Sequence, residues 1–149
     1  MTGNMNEMDA HYRKLENMMV RAPFVSKFDC LARVSEGASE FSFPVTQDMF
    51  HGAGAVHGAL CFFALDNAAM MAANSLVFDV VVFTTSFTIR IFRPISEGRV
   101  RADGMVMNLG NDRIDTEAVA YDDTGTEIAR GSGSFVRTKL PLSARIGYA

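Results

Sequence analysis

Apolar residues recur at helical spacing near the start of the chain. Over residues 6–19 they fall at Met8, Tyr12, Leu15, Met18 and Met19, one face of an amphipathic helix. Pro23 stops that helix, which the pattern predicts over about 6–20. Two short strand-like runs follow at 28–34 and 40–45, with Ser35-Glu36-Gly37 between them as a hairpin turn. FHGAGAVHG at 50–58 reads as a glycine-rich loop. Beyond it, 59–74 is almost entirely apolar and rich in Ala, Leu and Met, which are strong helix formers. A helix that is apolar on every side is a buried one, so a central helix is predicted over about 58–74.

The second half has the two-residue period of strands. Over 80–92, Phe83, Thr85, Phe87, Ile89 and Ile91 alternate with Val82, Thr84, Ser86, Thr88 and Arg90. The first set is the predicted buried face. Further strands are predicted at 99–107, 113–121 and 127–138, with turns at NLGND (108–112) and DDTG (122–125). The order is α-β-β-α-β-β-β-β. One long buried helix against five or six antiparallel strands is an α+β layer fold. With 149 residues and no internal linker, the chain is expected to form a single domain, 1–149.

Composition narrows the function classes. At 48% hydrophobic and 21% charged residues, bulk disorder is excluded. A net charge of −3 argues against a generic nucleic-acid binder. The two cysteines, Cys30 and Cys61, have no CxxC neighbour; a strand thiol and a buried thiol are expected, with no redox role. The start of the chain has no apolar core of signal-peptide length. The apolar run 53–73 is broken by His57, Asp66 and Asn67, which argues against a membrane span. A cytoplasmic setting is expected. The basic residues are unevenly placed: none from Val34 through Ile89, and nine from Arg90 onward. Most suit solvated strand faces, and a few suit a local anion site.

Asp66 stands out. A carboxylate inside an apolar helix must find a partner, reach water or have its pKa raised. It is either a structural Asp bonded to backbone, His51 or His57, or a catalytic base or nucleophile. His57-Gly58 falls at the predicted helix start, where free N–H groups and the positive end of the dipole favour an oxyanion. Gly58 also allows close approach to the backbone. The loop lacks the Lys-Ser/Thr of a phosphate loop and follows no parallel βαβ pattern, so no dinucleotide site is expected. His51 and His57 have no third His or Cys at ligand spacing, so no metal is expected. Gly58 and Asp66 are eight residues apart, about 12 Å along one helix. One chain cannot bring both to a single carbonyl. A second chain with its helix antiparallel can; if both residues act on one carbonyl, the site is shared between subunits, which predicts a symmetric dimer at least.

AVHGALCFFALDNAAMMAAN followed by TTSFTIRIFRPI resembles the hotdog-fold acyl-CoA thioesterases. The similarity runs over about 41–138. The subgroup it most resembles is the phenylacetate-pathway (PaaI-type) and thioesterase-superfamily-member-two type. The resemblance implies a long central helix wrapped by the sheet, and hydrolysis of an acyl-CoA or acyl-carrier thioester to acid and thiol. By position, Asp66 matches the family's general base or nucleophile and Gly58 its backbone oxyanion donor, with His57 beside it. His51 falls where relatives often carry Asn. Thr84 falls where some carry a Ser that positions the nucleophile, although strand parity places it on the outer face. Phe50, Phe62, Leu65 and Met70 are candidates for the acyl wall, and Arg93, Arg113, Arg137 and Lys139 for the phosphates of coenzyme A. Coenzyme A enters as part of the substrate, with no separate cofactor. The expected assembly is a homodimer or homotetramer, with neither nucleic acid nor membrane as partner. Ala59 stands where the family has the second Gly of His-Gly-Gly, adding a methyl beside the site. Two other readings stay open: a non-hydrolytic acyl- or lipid-binding hotdog module, and a hotdog hydratase or dehydratase.

Overall fold

The structure is a computed structural model that describes residues 2–149, with side chains from Met5 onward. Helix α1 spans Thr2–Arg21. Strands β1 (Leu31–Ser35) and β2 (Ala38–Pro44) form a hairpin, and helix α2 covers Gly58–Asn74. Strands β3 (Val80–Ile91), β4 (Arg99–Leu109), β5 (Ile114–Tyr121) and β6 (Glu127–Pro141) complete the sheet. All pairings are antiparallel, in the order β1-β2-β4-β5-β6-β3. This is the predicted α+β hotdog architecture, with six strands. β3 lies at one edge of the sheet, so among the described residues one side of it has no strand neighbour.

Helix α2 is the centre of the core. Leu65, Ala64, Ala68, Ala69, Ala72 and Ala73 are fully buried. Small side chains let the helix lie directly on β4. At Gly104 of β4, a Cβ would run into the Ala68 carbonyl, so only glycine allows this approach. The Ser39 hydroxyl of β2 donates to the same carbonyl. At the N-terminal end, His57 caps the helix: its Nδ1 accepts the Ala59 N–H at 3.0 Å. At the other end, buried Asn74 donates to the Val77 and Val80 carbonyls and accepts the Val82 N–H at 2.9 Å. That clamp fixes where β3 begins against α2. The adjoining corner is closed by buried His11. Its Nε2 donates to the Asn74 carbonyl at 2.9 Å, so its Nδ1 accepts from the Tyr148 hydroxyl at 2.7 Å.

Several expectations need correction. α1 is longer than predicted. Residues 25–28 form a 3-10 turn, not strand, so β1 starts at Leu31 and Cys30 lies just before it. The largest correction concerns β3. Thr84 pairs with Phe135 while Ser86 pairs with Ser134, so Thr85 is an extra residue, a β-bulge. A bulge reverses the alternation on one side of it. Before it, Val82 is fully buried and Phe83 is 53% exposed, against prediction. After it, Phe87 and Ile89 face the core as predicted, while Ile91 at the strand end is exposed. Thr84 therefore faces the helix, not the outer surface.

Candidate active site

Gly58, Phe62 and Asp66 lie one turn apart on the same side of α2. β3 runs antiparallel to this stripe and meets it residue by residue. Ile91 reaches Gly58, with its Cδ1 3.1 Å from where a Cβ would stand. The Phe87 ring meets the Phe62 ring edge to face, with centroids 5.7 Å apart at 83°. The Thr84 hydroxyl donates to Asp66 Oδ1 at 2.7 Å. The Asn74 clamp and the Thr85 bulge together set this register.

Asp66 is half-buried in its own chain. Among the described residues, no basic side chain forms an ion pair with it. Its carboxyl is held above the ordinary carboxylate range chiefly by burial, with the Thr84 hydroxyl pulling it partway back. Its partner is neither His51 nor His57. With Oδ1 held, Oδ2 is the oxygen placed to accept a proton.

The Gly58 end opens into a cleft of about 280 Å³ lined by His51, Val56, Gly58, Cys61, Ile91 and Arg93, among others. Gly58 begins the helix, and among the described residues no acceptor meets its N–H. The preceding loop is pinned on both sides. Phe50 and Val56 bridge, the His57 N–H donates to Met49 O at 2.8 Å, and the His51 N–H donates to Ala55 O at 2.9 Å. His51 Nδ1 accepts the Ala53 N–H at 3.0 Å, which leaves Nε2 as its ring donor at the cleft. The two histidine rings lie 6.5 Å apart, with His57 committed to the helix cap.

The remaining candidates divide. Arg93 is exposed on the cleft. Phe62 is 39% exposed, Phe50 and Met70 pack half-buried against the core, and Leu65 is wholly interior. Arg113 and Arg137 sit at the β4–β5 turn. Arg113 pairs with Asp115 at 3.2 Å, and Arg137 donates to the Gly110 and Asn111 carbonyls at 3.0 Å each. Arg137 lies beside Val82 in the sheet, at the end of β3 away from Gly58. Lys139 is exposed near the end of β6. Within one chain, therefore, Arg93 alone of the four cations joins the Gly58 cleft. Sequence reasoning missed Cys61 and Ile95 as cleft walls. Cys61 follows Gly58 by one helical turn, a spacing that was readable. Ile95 arrives through the backbone pairing of Val56 N–H with its carbonyl, which no local pattern announces.

A long helix enclosed by one six-stranded antiparallel sheet defines a hotdog protein, and here the helix has an open N-terminus facing a cleft and a half-buried carboxylate two turns on. The sequence profile of the Thioesterase superfamily matches residues 53–129, and the chain belongs to that family. The solved structures it resembles share the fold at low identity. The E. coli PaaI protein from the phenylacetic acid degradation operon is 19% identical with a TM-score of 0.79, over 89% of this chain and 99% of that one. A thioesterase family protein from Silicibacter pomeroyi is 23% identical with a TM-score of 0.77, over 85% and 96%. A thioesterase from Haemophilus influenzae is 17% identical with a TM-score of 0.75, over 83% and 88%. No curated protein matches the chain. Among the described residues, no helix is long and apolar enough to cross a membrane.

Proposed function

We propose that the protein hydrolyses acyl thioesters of a coenzyme A-type thiol, in a site completed by a second copy of the chain. The observation that carries this reading is the placement of Gly58 and Asp66 on one stripe of α2, about 12 Å apart. Each is half of a hydrolytic site, and neither can serve the other within one chain. β3 is an unpaired edge beside that stripe and exposes Phe83 and Ile91, an arrangement that invites strand pairing. Antiparallel pairing of two β3 edges brings Asp66 of the partner subunit toward Gly58. It also brings the end of the partner's β3 nearest its β4–β5 turn toward Arg93, which gathers the late arginines at one mouth.

In this site the thioester carbonyl oxygen accepts the Gly58 N–H. The partner's Asp66 takes a proton from water as the water oxygen bonds to the carbonyl carbon. Thr84 holds the other carboxylate oxygen and so orients the base. The tetrahedral oxyanion collapses, the C–S bond breaks, and the thiolate leaves and recovers the proton. A thiolate is stable enough that no strong general acid is required. Burial raises the basicity of Asp66, which suits it to general-base work at neutral pH.

The test is complementation. Asp66→Asn removes the base, and Gly58→Pro removes the N–H. Proline is well suited to the first helical position, and His57 already has the extended ψ of 139° that a following proline needs. Each variant alone is expected to be inactive on an acyl-CoA panel. Coexpressed mixed dimers are expected to regain up to half the wild-type activity per dimer, because one of the two sites is then intact. Two inactive parents whose mixture stays inactive overturn the shared site. A wild-type protein that binds acyl-CoA without turnover overturns the hydrolase.

A further inference from the structure

The stripe between Gly58 and Asp66 is occupied by two phenylalanines, and the sheet beneath them is cut to receive one of them. Phe87 of β3 lies opposite Gly133 of β6, and Ile89 opposite Gly131. A Cβ at Gly133 would overlap Cδ2 of the Phe87 ring and stand 2.6 Å from the Ser86 carbonyl, and one at Gly131 would stand 2.5 Å from the ring's Cε1. The ring therefore lies flat on bare backbone across two glycines. From above, Phe62 of α2 meets it edge to face. An aromatic wedge thus fills the gap between helix and sheet, half-buried and continuous with exposed Phe62.

We propose that Phe87 is the end wall of the acyl subsite and restricts the enzyme to thioesters of short or compact acyl groups. This rests on the hydrolase reading given above. Phe62 lies one helical turn from Gly58, about 6 Å, so a short group on the bound carbonyl reaches the pair and a longer one is stopped by it. The occupant is the acyl group because this stretch presents only ring carbons and glycine backbone. The thiol arm carries amides and phosphates that need polar partners, and Arg93 and His51 line the cleft at Gly58, which neither Phe62 nor Phe87 lines. The glycine notch makes the wall removable: without the ring, a groove floored by Gly131 and Gly133 continues between α2 and β6.

The experiment measures kcat/KM of the protein on straight-chain acyl-CoAs from acetyl to palmitoyl and on compact branched and aryl acyl-CoAs. For Phe87→Ala, the ratio of long-chain to short-chain kcat/KM is expected to rise by about tenfold or more, mainly through KM. Phe87→Leu keeps a branched side chain over Gly131 and Gly133, and most of that gain is expected to be absent from it. If Phe87→Ala does not fold, Phe87→Met fills the same space with a flexible chain and is expected to broaden the profile toward longer chains. A folded Phe87→Ala or Phe87→Met with the wild-type profile overturns the proposal, as does a gain in Phe87→Leu as large as that in Phe87→Ala. A wild-type protein that hydrolyses none of the panel overturns the hydrolase reading itself, and the end wall with it.

Discussion

The two flanks of α2 are built on different principles. Against β4 the helix is closed by contact of backbone on backbone, with Gly104 under Ala68 and the Ser39 hydroxyl on the same carbonyl. Against β3 the helix carries a glycine, an exposed phenylalanine and a half-buried carboxylate, facing a strand with no outer neighbour. One flank is finished by its own sheet. The other holds a carboxylate that is costly to bury with one hydroxyl as its partner, and it is on this flank that the proposed shared site rests.

The comparison breaks most sharply at Asp66. Asp66→Asn keeps an oxygen for the Thr84 hydroxyl but loses the base. It is expected to lower kcat about 10²–10⁴-fold with the circular dichroism spectrum unchanged. Retained turnover would leave the β3 flank without its chemistry. Gly58→Pro is expected to cost about 10²–10³-fold in kcat, the usual loss for one oxyanion donor.

The closed flank should respond in the opposite currency. Gly104→Ala forces a methyl against the Ala68 carbonyl, and α2 cannot shift without parting from β2 and β4. A loss of about 1–3 kcal/mol is expected, read in urea unfolding, with little change in kcat of the protein that remains folded. A large kcat effect at unchanged stability would erase the contrast between the flanks.

Much of this was legible before any coordinates. Element order follows from periodicity, because a 17-residue apolar helix and alternating strands leave little choice of layers. Asp66 and Gly58 were legible because a lone carboxylate in an apolar helix, and a glycine at a helix start, are local anomalies. Thr84 was legible by resemblance and misplaced by parity. Its orientation depends on one inserted residue, Thr85, and on the pairing of β3 with a strand more than forty positions later. Phe87 looked like ordinary core for the same reason: its seat is made by Gly131 and Gly133, whose meaning appears only when β6 lies beside it. Arg113 and Arg137 were read as candidates for the phosphates of coenzyme A, and in the fold an aspartate and two carbonyls already engage them.

Thr84 supplies a finer test of the open flank. Its hydroxyl stabilises the ionised carboxylate, so removing it raises the Asp66 pKa beyond the elevation that burial already gives. Thr84→Val is expected to move the acid limb of the kcat profile to higher pH and to lower kcat about tenfold. Thr84→Ser should restore both. A lower kcat with an unmoved acid limb would mean that Thr84 only fills space.

The smallest effect separates function from stability at the same residue. The folded Asp66 carboxyl titrates above its ordinary value of 3.8 because burial disfavours the charge. The wild-type fold therefore binds a proton that the unfolded chain has already released between those two pKa values. The unfavourable term is absent below 3.8 and grows as pH rises through the folded value. Above that value it is constant. Asp66→Asn removes the charge and keeps the hydrogen bond, so it is expected to raise Tm at pH 7 by on the order of 2 °C. The gain should shrink to nothing as pH falls toward 3.8. A variant that is inactive yet more stable at neutral pH identifies a carboxylate kept for its chemistry. A variant that is less stable at every pH makes Asp66 a structural tie to β3, and the two flanks of α2 then differ only in how tightly they are packed.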